Sequence, residues 1–396
     1  MCPEQTGHEM RFNRRKMFSC KLFSLNRWAK PAKDLVKKCV CSAPSLYSLV
    51  YGIRFNLAPI SFYRKWSDRL MHPQHRRNST VLAGPYSLGY KGGVFNPGAL
   101  PLPSGGVLLL AKAQSCHWWS AVGIRAEQYL KGDPAMIVLN DKLKIESTQI
   151  VEMVRSFPVT AGVEYEDFRL FRYQGEVWAN HGMISIRRKH RSSSTYDAAT
   201  PCISRLDTDK GALSFLGHPQ VDFETEKVEK NWLFFEKGRD LYLLYSISPY
   251  RLLKLKDLET LSFETVLHED LGDQLKDVGG FGTMISFSTN PIEYDDDYLL
   301  ILIHQVERKG AERFYHHWAV LVDKATLRPA RITWKPIFSG FGVRGKKPGI
   351  IFVTSVVRRQ DNFIFLMGEG DAYITYASLD RDQIEPLFRG IGSAQN

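Results

Sequence analysis

A hairpin pattern that recurs five times constrains the fold of this chain more than any other feature of its sequence. In each copy, a run with polar residues near its start leads through a turn into a dense hydrophobic run. The five copies are Val94–Ala113, Tyr165–Gly182, Glu229–Ile247, Gly280–His304 and Ile350–Asp371. Their second strands begin about 57 to 70 residues apart, a spacing typical of repeat architectures. Each interval also has room for two further strands, such as those predicted within His317–Lys335.

Four strands in each of five units predict an all-β fold, a five-bladed β-propeller. Helical periodicity is weak throughout this region, and Gly and Pro are spread along the chain, as expected for short strands joined by turns. With 44% hydrophobic and 24% charged residues, the chain can bury a large core. A β-sandwich with an accidental repeat remains the alternative at this point.

The net charge of +11 is concentrated at the N-terminus. Residues 1–77 contain 16 Lys or Arg against four Asp or Glu, which leaves 37 basic and 38 acidic residues for the rest of the chain. A neutral main body argues against a nucleic-acid partner, because such partners are bound through extended basic surfaces. The sequence therefore predicts two parts, a basic extension at 1–80 and a catalytic propeller at 81–396.

The extension has the composition of a membrane-surface segment. Phe18, Leu22, Leu25 and Trp28 interleave with basic residues at roughly helical spacing. A basic helix with one apolar face can bind anionic lipid headgroups. A solvated tail, or a helix packed on the main domain, would explain the same composition. We expect a partly helical extension with peripheral membrane association.

Other whole-chain features favour a cytoplasmic protein with free thiols. No apolar run reaches the roughly 18 residues that a spanning helix needs, and we find no secretory signal. Neither zinc-ligand spacing nor a glycine-rich nucleotide loop is evident, so we expect no metal and no bound cofactor. The cysteines are Cys2, Cys20, Cys39, Cys41, Cys116 and Cys202.

Polar residues lie where each predicted hairpin begins, and in a propeller these positions share one funnel. The third hairpin, for example, opens with Lys230 and Asn231. Buried charges cost several kcal/mol unless they are paired, so a purely structural hairpin gains nothing from them. The full set of funnel residues is Asn96, Glu166, Asp167, Arg169, Lys230, Asn231, Thr283, Thr354 and Ser355.

These motifs resemble a family of five-bladed propeller enzymes, the β-mannoside phosphorylases of glycoside hydrolase family one hundred and thirty and the related propeller mannosyltransferases. The resemblance covers about residues 85–390. YEDFR at Tyr165–Arg169 is similar to the Glu-Asp-Pro-Arg motif of the family, with Phe168 in place of the proline. EKNW from Glu229 and GEGDAYI near Asp371 are similar to two further motifs.

The resemblance implies roles for individual residues. Asp167 would be the catalytic acid, with its proton relayed through a sugar hydroxyl. The implied substrate-binding residues are Asn96, Lys112, Glu166, Arg169, Lys230, Asn231, His317 and Asp371. The implied phosphate-binding residues are Arg169, Arg205 and Lys230, with Arg187 and Arg188 as further candidates of uncertain register. Lys112 stands where relatives often carry arginine, so the planar fork that grips anions is absent there.

Three functions remain open from the sequence. The first is inverting phosphorolysis or synthesis of a β-mannoside, with inorganic phosphate or a sugar phosphate as co-substrate. The second is glycosyl transfer from a nucleotide sugar to a membrane-associated glycan, and the third is sugar binding without catalysis. Several motifs also have structural explanations: Asp167 and Arg169 could form an ion pair, and His316 and His317 should face opposite sides of a strand, one buried and one exposed.

Two other stretches have both a functional and a structural interpretation. The tryptophans in Cys116–Ser120 could stack on a sugar or simply pack. The acidic run Glu293–Asp297 should be a solvated turn, although a metal is conceivable.

The first prediction concerns the extension. Deleting residues 1–77 should reduce binding to vesicles that contain anionic lipid and spare activity on soluble acceptors, because the surplus charge lies in this segment. Binding of the full chain should also weaken as salt shortens the screening length toward about 8 Å at physiological ionic strength. Vesicle co-sedimentation measures both effects, and unchanged binding after the deletion would exclude the membrane role.

Overall fold

The structure of the protein is a computed structural model. It describes residues 79–90, 92–114, 132–154, 157, 163–185, 198–271, 275, 285–309, 312–340 and 349–391. These residues form 25 strands and very little helix. The α-helix α1 spans Arg381–Ile384, and single 3-10 turns occur at Ser87–Gly89 and Glu385–Leu387. The predicted basic extension at 1–80 lies almost wholly outside the described residues.

The strands form five sheets. We number the sheets by the order in which their predicted hairpins occur along the chain. Sheet 1 contains β2 (Gly93–Pro101), β3 (Val107–Gln114), β4 (Gly132–Leu139) and β5 (Ile145–Ile150). Sheet 2 contains β6 (Glu152–Met153), β7 (Val163–Tyr173), β8 (Glu176–Ser185), β9 (Ala198–Asp207) and β10 (Ala212–Gly217). Sheet 3 contains β11 (Gln220–Val221), β12 (Leu233–Lys237), β13 (Asp240–Ile247), β14 (Tyr250–Asp257) and β15 (Ser262–Glu269).

The last two sheets include strands from the ends of the described chain. Sheet 4 contains β16 (Ile285–Phe287), β17 (Ile292–Glu293), β18 (Tyr298–Lys309), β19 (Glu312–Asp323), β20 (Pro329–Thr333), β21 (Phe338–Ser339) and β25 (Phe388–Gly390). Sheet 5 contains β1 (Thr80–Ala83), β22 (Ile351–Arg359), β23 (Asn362–Glu369) and β24 (Tyr373–Asp380). The two strands of each predicted hairpin pair antiparallel, one pair in each sheet, with the fourth hairpin described from Ile285 onward.

The core is divided into five apolar layers, each between two sheets. Successive sheets pack against one another, and sheet 5 packs against sheet 1 through residues such as Leu109 and Leu366. A middle strand is therefore buried on both faces, which explains uninterrupted apolar runs such as Val107–Ala111. The alternative of a two-sheet sandwich is wrong, and the sheets instead have a propeller-like arrangement.

The first strands of the sheets meet around a common centre. The backbone N–H of Ala99 in β2 donates to Ser355 Oγ in β22 at 2.9 Å, and Thr354 Oγ1 donates to the carbonyl of Pro97 at 2.7 Å. A side chain at Gly98 would collide with the backbone of Arg169 in β7, so only glycine permits this approach. These contacts place Thr354 and Ser355 of the predicted funnel beside β2, whereas Thr283 lies outside the described residues.

The two adjacent histidines of β19 depart from the prediction. His316 and His317 are both buried, whereas we expected one of them at the surface. Neighbouring residues do face opposite sides of a strand, but both sides of β19 are covered by other elements. His316 Nδ1 lies 2.8 Å from Ser339 Oγ, and His317 Nε2 accepts from the backbone N–H of Val353 at 3.2 Å.

Sheet 5 is completed by the first described strand. β1 pairs antiparallel with β24, so residues from both ends of the described chain share one sheet. This strand begins at Thr80, beside the predicted domain boundary. No helix in the described part of the chain is long and apolar enough to cross a membrane.

The second prediction tests this closure with two truncations. Deleting residues 1–84 removes β1 together with the buried Ala83 and exposes the backbone of β24. Loss of several ladder hydrogen bonds should lower the free energy of unfolding by about 2 to 4 kcal/mol. The matched truncation of residues 1–77 keeps β1 and should melt at a clearly higher temperature. Equal melting temperatures would show that β1 contributes nothing to stability.

Candidate active site

The same backbone distortion occurs in the first strands β2 and β7 and two residues before β12, where the chain approaches the centre. Asn96, Asp167 and Asn231 adopt left-handed backbone conformations with φ of 53°, 59° and 64°. In β2 and β7 the pairing register shifts at this point, so the strand bulges. Asn and Asp tolerate this conformation better than other residues with side chains, because their short polar groups bond locally. The distortion turns these side chains out of the regular strand alternation.

Asp167 has the surroundings of a general acid. Its Oδ1 accepts from Asn96 Nδ2 at 2.8 Å. Desolvation by the surrounding protein, reinforced by the charge of Glu166, raises the pKa of the Asp167 carboxyl. Lys230, Arg169 and the Asn96 hydrogen bond oppose this effect without reversing it. A raised pKa keeps a proton available for transfer closer to neutral pH.

Glu166 lies between two lysines. Its Oε1 accepts from Lys230 Nζ at 2.9 Å, and its Oε2 lies 3.6 Å from Lys112 Nζ. The Lys112 side chain is 1% exposed, so this carboxylate is what compensates its buried charge. Burial works against the charge of Lys230, but Glu166 and Asp167 outweigh it and raise the pKa of Lys230. Lys230 is therefore held as a cation.

Arg169 is fully enclosed and bonded to several sheets. Its Nε donates to the carbonyl of Ser288 at 2.7 Å, Nη1 to the carbonyl of Asp167 at 3.2 Å, and Nη2 to Asn231 Oδ1 at 3.0 Å. The guanidinium carbon also lies 5.4 Å from the centre of the Phe352 ring. Desolvation lowers the pKa of Arg169 to about 10, which still leaves it charged at neutral pH.

Asp167 and Arg169 do not form the ion pair that strand alternation would allow. Strand alternation predicts that they point to the same face, and hence that they could form an ion pair. The bulge at Asp167 breaks this alternation, and the guanidinium bonds the backbone carbonyl of Asp167. Within the described part of the chain, no salt bridge joins the Asp167 carboxyl to the Arg169 guanidinium. The carboxyl of Asp167 therefore accepts a hydrogen bond from Asn96 and lines a pocket.

A pocket lies beside Asp167, between sheets 2 and 3. It contains about 300 Å³ of empty space, a figure that includes the solvent at its open mouth. Its lining residues are Asp167, Arg169, Asn180, His181, Gly182, Pro201, Glu229, Lys230, Asn231 and Trp232. The pocket therefore combines the predicted acid with groups from β8 and β9 that the sequence analysis did not single out.

Some of the pocket residues have structural partners. Glu229 accepts from Tyr245 Oη at 2.6 Å and from Trp232 Nε1 at 3.2 Å, so both of its oxygens are used. The ring of His181 packs 5.2 Å from that of Phe168, and burial lowers its pKa to about 3. His181 is consequently a neutral side chain near neutral pH and an unsuitable proton donor.

The remaining predicted site residues are less closely associated with Asp167. Asp371 lies in the turn between β23 and β24, and the next residue, Ala372, accepts from the backbone N–H of Val94 at 3.2 Å, close to Asn96 in sequence. His317 is held by the backbone of sheet 5, and burial lowers its pKa well below the usual range. The structure thus places Asp371 beside the start of β2 and His317 between sheets 4 and 5.

Arg205 does not join the cluster. The pairing of β8 with β9 places it opposite Trp178, two residues beyond Asn180, and its exposed guanidinium lies 3.3 Å from Glu176. The sequence alone does not determine which residues of β8 and β9 pair with each other. Other predictions fall outside the described residues: Thr283, Arg187, Arg188 and Cys116–Ser120.

Asp295–Asp297 of the acidic run form the predicted turn between β17 and β18, whereas Glu293 ends β17 and Tyr294 is buried. Asp295 Oδ1 accepts from the backbone N–H groups of Asp297 and Tyr298, and Asp295 Oδ2 accepts from Arg381 at 2.7 Å. No group of potential metal ligands occurs within the described ranges. This turn is explained by hydrogen bonds and an ion pair.

The third prediction follows from the pKa of Asp167. A raised pKa means that the folded protein holds this proton more tightly than the unfolded chain, so stability falls as pH rises above about 4. Asp167→Asn removes this effect. Its melting temperature relative to wild type should therefore increase from about pH 4 toward neutral pH. The surface variant Asp296→Asn is the control, and a difference for Asp167→Asn that is flat with pH would contradict the raised pKa.

Comparison with known proteins reveals similarity in structure only. No model of a protein family and no curated protein matches the sequence. The structure of a β-1,2-mannobiose phosphorylase from Listeria innocua superposes with a TM-score of 0.52 at 15% identity, covering 77% of this chain and 96% of that one. A glycosyl hydrolase from Bacteroides ovatus gives 0.50 at 12% identity, with coverages of 74% and 86%.

A third similar structure comes from work on the glycoside hydrolase family 130 of mannoside phosphorylases, which contains hydrolases that target β-1,2-mannosidic linkages in Candida mannan. It superposes with a TM-score of 0.54 at 13% identity, over 75% of this chain and 88% of that one. At such low identity these similarities establish the fold. The chain has the fold of the mannoside phosphorylase family that its motifs resemble.

Proposed function

We propose that the protein is a five-bladed β-propeller enzyme that carries out inverting phosphorolysis of β-mannosides, or the reverse synthesis, with Asp167 as the general acid. The five sheets, and the apolar layer between sheets 5 and 1, support a closed ring of five blades. The fold shared with mannoside phosphorylases supports the reaction class. The observation that carries the proposal is the raised pKa of a carboxyl that lines a pocket with cations around it.

In this reaction Asp167 donates its proton to a sugar hydroxyl, which passes its own proton to the glycosidic oxygen, while a phosphate oxygen attacks the anomeric carbon from the opposite face. The glycosidic C–O bond breaks, a new C–O bond to phosphate forms with inversion, and the leaving sugar departs with the proton. Phosphate is already an anionic nucleophile, so no second carboxylate is needed to activate water. The reverse direction returns the proton to Asp167.

The carboxylates around the pocket support phosphorolysis over inverting hydrolysis. Hydrolysis with inversion requires a second carboxylate to act as base on a water molecule. Of the carboxylates described near Asp167, Glu166 is engaged by two lysines, and Glu229 is engaged by Trp232 and Tyr245. Neither is well placed to accept a proton from water.

The balance of charge supports an anionic co-substrate. Lys112, Arg169 and Lys230 supply three positive charges, against the carboxylates of Glu166, Glu229 and Asp167. The charges cancel when Asp167 is ionised, and protonation of Asp167 leaves a surplus of one positive charge. Phosphate, a sugar phosphate or the diphosphate of a nucleotide sugar would balance this surplus. We assign phosphate contacts to Lys230 and to those N–H groups of Arg169 that do not donate to protein acceptors.

Further residues complete the proposed site. Asn96 and Asn231 flank Asp167 with amide groups that can bind sugar hydroxyls, and Asp371 would accept hydrogen bonds at the same entrance. Glu166 and Lys112 position Lys230 and tune the charge of the acid. The geometry supports neither Arg205 as a phosphate ligand nor direct substrate contact by His317.

Glycosyl transfer to a membrane-associated glycan is the second candidate function. It uses the same acid and the same cationic pocket, with a nucleotide diphosphate as the anionic group. The basic segment at 1–77 favours it, since such a segment would bring the pocket to an acceptor on an anionic surface. Sugar binding without catalysis is disfavoured, because binding alone does not require a carboxyl with a raised pKa.

The fourth prediction tests the proposed acid. Wild-type protein incubated with mannose 1-phosphate and a panel of mannoside acceptors should release phosphate, whereas transfer from GDP-mannose would release GDP. Asp167→Asn keeps the hydrogen bond acceptor for Asn96 but lacks the transferable proton, so turnover should fall by roughly 10²-fold or more. Glu166→Gln should cost less, because its effect on the reaction is indirect.

Folding and alternative reactions are controlled in the same experiment. Circular dichroism and melting temperature should show that Asp167→Asn is folded. Near-normal turnover by this variant would exclude Asp167 as the acid. Mannose release from a β-mannoside without phosphate would indicate hydrolysis, and inactivity of the wild type with both donors and with β-mannosides would leave sugar binding as the function.

A further inference from the structure

The pocket beside Asp167 contains an unusual polar group that the proposed mechanism does not use. Asn180 lies on β8, is 4% exposed and lines the pocket. Its Nδ2 donates to the backbone carbonyl of Trp232 at 2.8 Å, which fixes the orientation of the amide. No hydrogen-bond donor among the described residues reaches its Oδ1. A buried acceptor without a donor is costly by about 1 to 3 kcal/mol, so such atoms require an explanation.

The strand around Asn180 leaves space on the same side. Residues two apart on a strand share a face, so Gly182 points from β8 toward sheet 3, as Asn180 does. A Cβ built at Gly182 would make only ordinary contacts, 3.7 Å from the carbonyl oxygen of Glu166 and 3.9 Å from Ile184. Packing therefore does not demand glycine here. A larger side chain at this position would instead project into the pocket that Gly182 also lines.

We propose that Asn180 and Gly182 form a sugar-binding subsite next to Asp167. Asn180 Oδ1 accepts a hydrogen bond from one hydroxyl of the ligand, and the bare backbone at Gly182 leaves room for the sugar ring. Pro201, which pairs with Gly182 across β8 and β9, adds an apolar surface beside that ring. The ligand is a polyhydroxylated ring of monosaccharide size, and this assignment rests on the proposed function.

The chemistry of the subsite suits a sugar. The amide of Asn180 is neutral and already oriented, so binding a hydroxyl satisfies its buried acceptor without bringing a new charge into the pocket. The Asp167 carboxyl and the Asn231 amide line the same pocket, so a ring seated there would present one edge to the acid and another to Asn180. A ligand without hydroxyl donors would leave Oδ1 without a partner and would bind more weakly.

The fifth prediction uses two substitutions on β8. Gly182→Val places a β-branched residue in a strand, where its Cβ fits, so the fold should be kept or stabilised while the pocket is obstructed. Calorimetric titration with β-1,2-mannobiose and with mannose 1-phosphate should show binding weakened at least about 10-fold. Asn180→Ala should weaken binding by roughly 3- to 10-fold, the scale of one hydrogen bond to a neutral hydroxyl.

Two controls separate contact from structure. Trp178→Phe removes another buried polar atom that lacks a described partner, on the same strand but outside the pocket lining, and should leave sugar affinity unchanged. Monodeoxy-mannoses identify the contacted hydroxyl: the analogue that lacks it should bind Asn180→Ala as tightly as mannose does. Melting temperatures check the fold of every variant.

The outcomes distinguish the subsite from the proposed function. If the wild type binds a sugar probe and both Gly182→Val and Asn180→Ala bind it equally well, the subsite is wrong and the proposed function stands. If the folded wild type binds neither β-1,2-mannobiose nor mannose 1-phosphate, both are overturned. Weakened binding in both variants, with one deoxy-sugar insensitive to Asn180→Ala, supports the subsite.

Discussion

The enclosed guanidinium of Arg169 is the interaction on which the centre of the structure depends. It belongs to sheet 2, yet it donates to Ser288 of the segment after β16 and to Asn231 at the entrance of sheet 3, and it lies against Phe352 of sheet 5. One side chain thus connects four of the five sheets. Removing it would leave buried acceptors without donors, a loss of about 1 to 3 kcal/mol for each.

The same guanidinium ties the fold to the chemistry. By donating to the Asp167 carbonyl and to the Asn231 side chain, Arg169 supports two of the residues with left-handed backbones, a conformation that is otherwise costly. Its charge also opposes the raised pKa of Asp167. Arg169 therefore positions the proposed acid, Asp167, and limits the rise in its pKa. This arrangement explains why a cation occupies the centre even though its desolvation is unfavourable.

Much of the fold was predictable because apolar runs and turns are local properties of the sequence. The five hairpins, the two further strands after the fourth one and the scarcity of helix follow from such patterns. The position of Asp167 at the centre could also be predicted, because it depends only on which strand of each hairpin comes first. A middle strand covered on both faces is less evident, which is why one of His316 and His317 was wrongly expected at the surface.

Contacts between sheets could not be derived in the same way. The pairing of Glu166 with Lys112 and Lys230 joins three sheets, and the bulge at Asp167 cancels the alternation from which an ion pair with Arg169 was expected. The register that carries Arg205 away from the site depends on a pairing between distant segments. Asn180 and Gly182 could have been noticed in the sequence. A polar and a small residue follow an aromatic residue at alternate positions of β8, so all three share one face of that strand.

The left-handed residues Asn96, Asp167 and Asn231 give the site a pseudo-symmetric frame. Three consecutive sheets present groups of nearly the same size and shape in equivalent backbone settings, and only the middle one is a carboxyl. In the proposed reaction, the difference between amide and acid, a single NH₂ for OH exchange, decides which sheet delivers the proton. A ligand at the centre therefore meets three groups of similar shape, of which one is a carboxyl and two are amides. In the proposed reaction, the position of that carboxyl sets the direction in which the reacting bond points.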